Sequence, residues 1–225
     1  MNPPKEIVFI VDDDARVREA LGELLESLGW RAEMFASAAE YIACAKPDLP
    51  ACLLLDVELP DINGLDFQRQ LSHDVHPPIV FITGHGDIPS SVRAIQGGAV
   101  DFLTKPVAES ALVVAIRTAI DRDRNQRSVR AERAELGRRL AALTPREREV
   151  LQFVVSGFLN KQSAAELGIS EITLQIHRGK IMRKMQAESL ADLVRIAEKL
   201  QIPVIHSSLA QARKNDRPDG DERRS

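Results

Sequence analysis

No apolar run in this 225-residue chain approaches the roughly 20 residues that a helix needs to span a bilayer. The start, Met1-Asn2-Pro3-Pro4-Lys5-Glu6, lacks the apolar stretch of a secretory signal. There are two cysteines, Cys44 and Cys52, and they form no metal-spaced pair. Reduced, structural thiols in the cytoplasm are therefore expected, with no membrane association. The histidines His73, His76, His85, His177 and His206 form no ligand-spaced cluster, which argues against a zinc site. Gly84-His85-Gly86 does not continue as a dinucleotide loop.

What is present is an uneven distribution of charge. Residues 1–120 hold 9 Lys and Arg against 18 Asp and Glu, whereas residues 121–202 hold 16 against 11. An acidic first half and a basic second half suggest two jobs, the second facing a polyanion.

The first half alternates short apolar runs, at 6–11, 30–35, 51–55, 78–83 and 100–103, with stretches of helical spacing such as Val17, Leu21, Leu24, Leu25 and Leu28. That alternation predicts βαβ units: an α/β, doubly wound, five-stranded parallel sheet covered on both faces. The runs at 51–55 and 78–83 are almost wholly apolar, as doubly covered strands should be. Ser37-Ala38-Ala39-Glu40 reads as a capping box at a helix start. Charged residues stand at the carboxyl ends of the runs: Asp12 and Asp13 after the first, Asp56 after the third, Lys105-Pro106 after the last. In an open parallel sheet those ends converge on one edge, where such folds bind ligands. Three carboxylates meeting one ammonium repel one another and need compensation. Mg²⁺, which takes a few carboxylates with phosphate oxygens and water, meets that need.

A fifth helix is expected from near Val107, with Ala111, Leu112, Ala115, Ile116, Ala119 and Ile120 on its apolar face. Residues 121–142 are rich in Arg and Glu and carry a thin stripe of Val129, Leu136, Leu140 and Leu143. They read as a helical linker that either pairs with its copy in a dimer or stands as a solvated single helix. Thr144-Pro145-Arg146-Glu147 restarts the chain with a capping box and a proline at the first helical position. Four short helices are expected at about 145–156, 161–167, 171–185 and 190–200, with Ser170 and Ser189 as caps. The division predicted is thus residues 1–120, a linker at 121–142, an all-α domain at 143–202, and a polar, disordered tail at 203–225.

Asp12-Asp13, Asp56, Thr83 and Lys105-Pro106, in order and each after its strand, resemble the receiver domain of two-component response regulators. Phe81-Ile82-Thr83-Gly84-His85-Gly86-Asp87 and Gly98-Ala99-Val100-Asp101-Phe102-Leu103-Thr104-Lys105-Pro106 look most like the branch of the nitrogen-fixation regulators. The resemblance implies that Asp56 accepts a phosphoryl group from a sensor histidine kinase. It implies Mg²⁺ held by Asp13, Asp56 and the backbone carbonyl of Glu58, with Asp12 bound directly or through water. Lys105 would pair with a phosphoryl oxygen, after a cis peptide to Pro106. Thr83 would sense the phosphate, and Phe102 would turn into the space vacated; the plain alternative makes Phe102 a core residue. The face at about 89–118 would then favour a homodimer. Glu58 and His85 would flank the attacking water and tune phosphate lifetime.

Leu143-Thr144-Pro145-Arg146-Glu147-Arg148-Glu149-Val150-Leu151, then Asn160 to Ser170, then Ile172-Thr173-Leu174-Gln175-Ile176-His177-Arg178 closely resemble the helix-turn-helix domain of the quorum-sensing and nitrate-regulator type. Gly168 suits the left-handed position between the two helices. On the recognition helix, Ile172, Ile176 and Ile181 are expected to anchor to the core. Thr173, Gln175, Arg178 and Lys180 are expected to approach a major groove. Lys161, Arg178, Lys180 and Lys184 are candidates for phosphate contacts, and His177 for packing or a phosphate bond. Two residues depart from the family: Gln175 replaces a common lysine but can read adenine, and Ser163 replaces a branched apolar residue and should weaken packing. Leu190, Leu193, Val194 and Ala197 suit dimer contacts.

The expected protein is a cytoplasmic, non-enzymatic response regulator that dimerises when phosphorylated, binds promoter DNA and acts on RNA polymerase. The rival is a DNA-binding regulator whose receiver senses another cue without phosphorylation. A phosphohydrolase with Glu58 as its acid/base group fits the surrounding loop and the second half less well.

Overall fold

A computed structural model describes residues 6–71, 75–84 and 86–205. The chain divides into two compact units, Met1–Val129 and Arg130–Ser225.

The first unit alternates β1 (Ile7–Val11), α1 (Ala15–Ser27), β2 (Arg31–Phe35), α2 (Ala38–Ala43), β3 (Ala51–Leu55), α3 (Gly64–Leu71), β4 (Ile79–Thr83), α4 (Ile88–Gln96), β5 (Asp101–Thr104) and α5 (Glu109–Ala141). The five strands pair in parallel in the order β2-β1-β3-β4-β5. Side chains alternate across the sheet, so each interior strand feeds two cores. Ile7, Phe9, Val11, Leu53, Leu55, Ile79 and Phe81 face Tyr41, Phe67 and Ala94 on one side. Val8, Ile10, Cys52, Leu54, Val80 and Ile82 face Leu25, Leu112 and Ile116 on the other. This double covering explains why β1, β3 and β4 are buried along their whole length, while the edge strand β2 is not. Strand order reverses between β1 and β3, where Val11 lies opposite Leu55. The next residue of each strand, Asp12 and Asp56, thus emerges beside the other.

Local signals hold with one adjustment. Ser37 caps α2 by accepting from the Glu40 amide, but the Glu40 carboxylate accepts from the Ala36 amide instead of completing the box on Ser37. Tyr41 is fully buried, and its hydroxyl has no hydrogen-bonding partner among the described residues. Burial raises its pKa. A desolvated, unpaired hydroxyl costs about 1–3 kcal/mol. Tyr41→Phe should therefore leave stability unchanged or raise it by about 1 kcal/mol. Denaturant unfolding checks this, and a clear loss of stability would show a hidden partner.

The helix α5 starts at Glu109, two residues later than expected, and runs unbroken for 33 residues. Its early turns bury Leu112, Ala115, Ile116, Ala119 and Ile120 against the sheet. Beyond residue 120 it stays fastened to the first unit. Buried Asp123 accepts from the Ala51 amide at 2.9 Å and from Arg127 Nε at 2.6 Å, and Arg127 also pairs with Asp48.

The second unit contains the end of α5 followed by α6 (Pro145–Val155), α7 (Asn160–Glu166), α8 (Glu171–Met185) and α9 (Leu190–Lys199). Its core joins Leu136, Leu143, Val150, Leu151, Val154, Ala164, Leu174, Ile181, Met185, Leu193 and Ile196, with Leu140 packed against it. Three of the four residues of the thin linker stripe thus belong to this core, and only Val129 is exposed. The capping box of Thr144 and Glu147 is complete, Ser170 caps α8 and Ser189 caps α9. Gly168 takes the left-handed conformation at φ +63°. Of the tail expected at 203–225, the structure describes only the start, where the Ile205 amide donates to Ser156 Oγ at 2.8 Å; positions 206–225 lie outside the described residues.

Candidate functional site

The end of the sheet gathers the expected residues. Asp12 and Asp56 are buried, Asp13 is exposed, and one carboxylate oxygen of each lies within 4.8 Å of the others. Lys105 reaches both buried carboxylates, with Nζ 2.6 Å from Asp12 Oδ2 and 2.7 Å from Asp56 Oδ2. The remaining oxygens are held by backbone. Asp12 Oδ1 accepts from the Asp14 amide at 3.0 Å, and Asp56 Oδ1 accepts from the Glu58 amide at 3.1 Å. Arg18 Nη1 donates to the Asp12 carbonyl at 2.7 Å.

The electrostatics follow from burial. Desolvation raises the Asp12 pKa, against the opposing pull of Lys105 and the Asp14 amide; the Asp56 charge adds to the rise. Burial alone would depress Lys105, but its bonds to Asp12 and Asp56 outweigh that and raise its pKa. One ammonium thus faces three carboxylates at a single edge. That is an all-oxygen donor set with surplus negative charge, as a hard divalent cation requires.

Thr83 closes β4, fully buried, and its carbonyl accepts from the Lys105 amide at 2.8 Å. Lys105-Pro106 is cis. Phe102 is half-buried against Phe81, with ring centroids 6.0 Å apart. Glu58 follows Asp56 by two residues and bridges to Asn63. His85 lies outside the described residues.

Sequence reasoning missed one residue here. Gly64 opens α3 so close to β3 that a Cβ would stand 2.2 Å from the Asp56 carbonyl oxygen and 3.0 Å from Val57 Cα. Asn63-Gly64 was readable as loop punctuation, but the path by which the loop brings Gly64 back against residues 56 and 57 leaves no signal in the residue types.

In the second unit, α7 and α8 form the helix-turn-helix. One expectation about α8 is corrected: Ile172 and Ile176 do not anchor it. They are 72% and 53% exposed, whereas Leu174, Ile181 and Met185 are buried. Gln175 and Lys180 are exposed with the two isoleucines, and Lys161 is exposed on α7. Thr173 is tied to the cap Ser170, Oγ1 to Oγ, at 2.9 Å. Arg178 donates to Asn160 Oδ1 at 2.7 Å and so joins α8 to the start of α7. His177 is half-buried, and its Nδ1 has no hydrogen-bonding partner among the described residues. Ser163 is buried with its hydroxyl donating to the Leu159 carbonyl at 3.1 Å, which satisfies the polar atom that departs from the family.

Lys184 is placed apart from the exposed face. Its Nζ lies 2.7 Å from Glu147 Oε2 and 3.1 Å from the Ala142 carbonyl, so it closes the capping box of α6. This bond is the first cause of the lowered pKa of Glu147. Lys184→Met should cost about 1–2 kcal/mol, allowing for screening at the partly exposed ammonium. Because the folded pKa of Glu147 is depressed, the stabilisation is complete above the ordinary glutamate value. It is lost as pH falls from there through the depressed value. Thermal unfolding at neutral and acid pH should show the Lys184→Met deficit shrinking in acid. A deficit that stayed constant with pH would remove the ion pair as its cause.

Comparison with known proteins matches this geometry. The model of the response regulator receiver domain matches residues 8–117, and that of the bacterial regulatory proteins of the luxR family matches residues 141–197. Nodulation protein W of Bradyrhizobium diazoefficiens is 48% identical over 208 residues, covering 92% of each chain. The transcriptional regulatory protein FixJ of Azorhizobium caulinodans is 41% identical over 191 residues, covering 84% of this chain and 90% of that one. Among solved structures, response regulator StyR matches with a TM-score of 0.76 at 44% identity, covering 87% of this chain and 99% of that one. No described helix is long and apolar enough to cross a membrane. The acidic edge of the sheet and the helix-turn-helix thus sit in one chain for a reason: it belongs to the two-component response regulators that join a receiver to a luxR-type DNA-binding domain, in the branch of the nitrogen-fixation regulators.

Proposed function

We propose that Asp56 is the phosphoacceptor and that its phosphorylation by a sensor histidine kinase governs promoter binding by the second unit. The observation that carries this is the buried Asp56 carboxylate, 2.7 Å from Lys105 and grouped with Asp12 and Asp13. A carboxylate oxygen of Asp56 forms a bond to phosphorus as the bond from phosphorus to the kinase histidine breaks. The histidine nitrogen keeps the electron pair. Lys105, released from Asp56, pairs with a phosphoryl oxygen, and the Thr83 hydroxyl donates to another.

Asp12, Asp13 and Asp56, with the backbone carbonyl of Glu58, would hold Mg²⁺, which when bound neutralises charge on the transferred group. The surplus of carboxylate over ammonium at this edge supports that ligand set. Thr83 and Phe102 form the switch, and Glu58 and His85 set phosphate lifetime. The active form is a cytoplasmic homodimer that acts with RNA polymerase and has no catalytic turnover of its own.

The receiver comprises residues 1–120 and the connector 121–142, whose last turns carry Leu136 and Leu140 to the output core. The DNA-binding domain runs over 143–202. Lys161, Lys180 and Arg178 serve phosphate contacts, with Thr173 and His177 close by and Gln175 at the bases. Lys184 contributes through the α6 cap.

The test measures molecular mass and duplex binding of the full chain with Mg²⁺, with and without a small phosphoryl donor such as acetyl phosphate. A donor-dependent gain in both is expected. Stable phosphorylation with no change in either would overturn the coupling.

A further inference from the structure

The recognition helix α8 carries two apolar surfaces, and among the described residues of its own unit only one is packed. Leu174, Ile181 and Met185 fill the core, while Ile172 and Ile176 stand on the opposite side, 72% and 53% exposed. At 3.6 residues per turn, Gln175, Gly179, Lys180 and Arg183 share that outer side, and all four are exposed. Two β-branched apolar side chains in water, ringed by cations and an amide, need an occupant that is apolar at its centre and anionic around it. The floor of a major groove at a thymine meets both demands: the C5-methyl group lies beside base-edge acceptors, between two phosphate backbones.

Gly179 supplies a second, independent observation. A glycine inside a helix is less stable than alanine. Yet no atom of the described residues lies within 4 Å of a Cβ added here, so no packing among them calls for its absence. Its effect is to leave the outer face low, one turn beyond Gln175 and Ile176, where a groove can approach the backbone.

We propose that Ile172 and Ile176 read thymine methyl groups, with Gln175 between them on an adenine, so that this regulator selects half-sites built on T·A pairs. This rests on α8 being the groove-reading helix and adds the class of base that it reads.

Duplexes would be selected from a randomised library with the full-length protein treated with Mg²⁺ and acetyl phosphate. Each central thymine of a selected site would then be replaced by deoxyuridine, which removes the methyl group and keeps every hydrogen-bonding atom. At the contacted positions wild type should bind about three- to fivefold more weakly per methyl removed. Ile176→Ala and Ile172→Ala, both at exposed positions, should retain the wild-type melting temperature. Each should bind thymine and deoxyuridine duplexes equally well at its own position, the signature of a direct pair in a double-mutant cycle.

Selected sites without central T·A pairs would overturn the inference while leaving the DNA-binding reading intact. So would equal wild-type affinity for both duplexes, or a methyl effect that survives both alanine variants. A change in oligomeric mass without loss of DNA affinity in those variants would assign the face to a protein partner instead, and would also overturn it. If no duplex were enriched, the reading of α8 as the DNA-binding helix would itself fail.

Discussion

Asp56→Asn should lower phosphoryl uptake from acetyl phosphate by at least about a thousandfold, the scale of losing an attacking group. The substitution is close to isosteric. The asparagine carbonyl oxygen can still accept from the Glu58 amide, which holds Asp56 Oδ1 at 3.1 Å. What disappears is the anionic oxygen beside Lys105, and with it the only buried carboxylate besides Asp12 at this edge among the described residues. An amide oxygen is a far poorer nucleophile toward phosphorus than a carboxylate. The loss should come without a stability penalty, because one of three mutually repelling charges is removed while Lys105 keeps Asp12 as its partner. Intact-protein mass spectrometry after incubation with Mg²⁺ and donor reads the outcome directly. Retained uptake in the variant would move the acceptor to another residue. Donor-dependent DNA binding that persisted without uptake would favour a receiver responding to some other cue.

Gly64→Ala should be the most damaging small substitution in the receiver, with a cost of about 2–4 kcal/mol, in the range of overpacking and backbone displacement. The added Cβ would lie 2.2 Å from the Asp56 carbonyl oxygen and 3.0 Å from Val57 Cα, both backbone atoms of the stretch that follows β3, so no rotamer change relieves the clash. The Gly64 amide also donates to the Val57 carbonyl at 2.8 Å, which pins the start of α3 to the same stretch of chain. Moving α3 outward would break that bond, and moving the strand end would displace the acceptor carboxylate. Thermal unfolding should show a midpoint lower by several degrees, and phosphorylation should slow even in the folded fraction. Wild-type stability and wild-type phosphorylation together would refute the close approach.

The acidic edge was readable because each of its charged groups lies within two residues of the end of a short apolar run. A doubly covered parallel sheet forces such runs side by side, so the sequence alone places Asp12, Asp13, Asp56 and Lys105 together. Helix starts were readable for a similar reason. Thr144, Ser170 and Ser189 satisfy their own helix ends through contacts three residues away, which are local by nature.

The orientation of α8 was not readable. Ile172 and Ile176 lie one turn apart, as do Ile181 and Met185, and Leu174 lies two turns before Ile181. A helix with apolar residues on two faces does not say which face meets the core. The same holds for Leu136, Leu140 and Leu143, whose spacing suits a dimer seam as well as it suits the output core that takes them. By itself the amino-acid order determined the α/β architecture, the edge at which the charges collect, and the presence of a helix-turn-helix, because those depend on periodicity and on neighbours in the chain. Tertiary structure alone decided that Gly64 must stay bare, that Lys184 serves a cap, and that two isoleucines face outward, because each depends on how the backbone folds and packs and not on periodicity or on capping contacts three residues away.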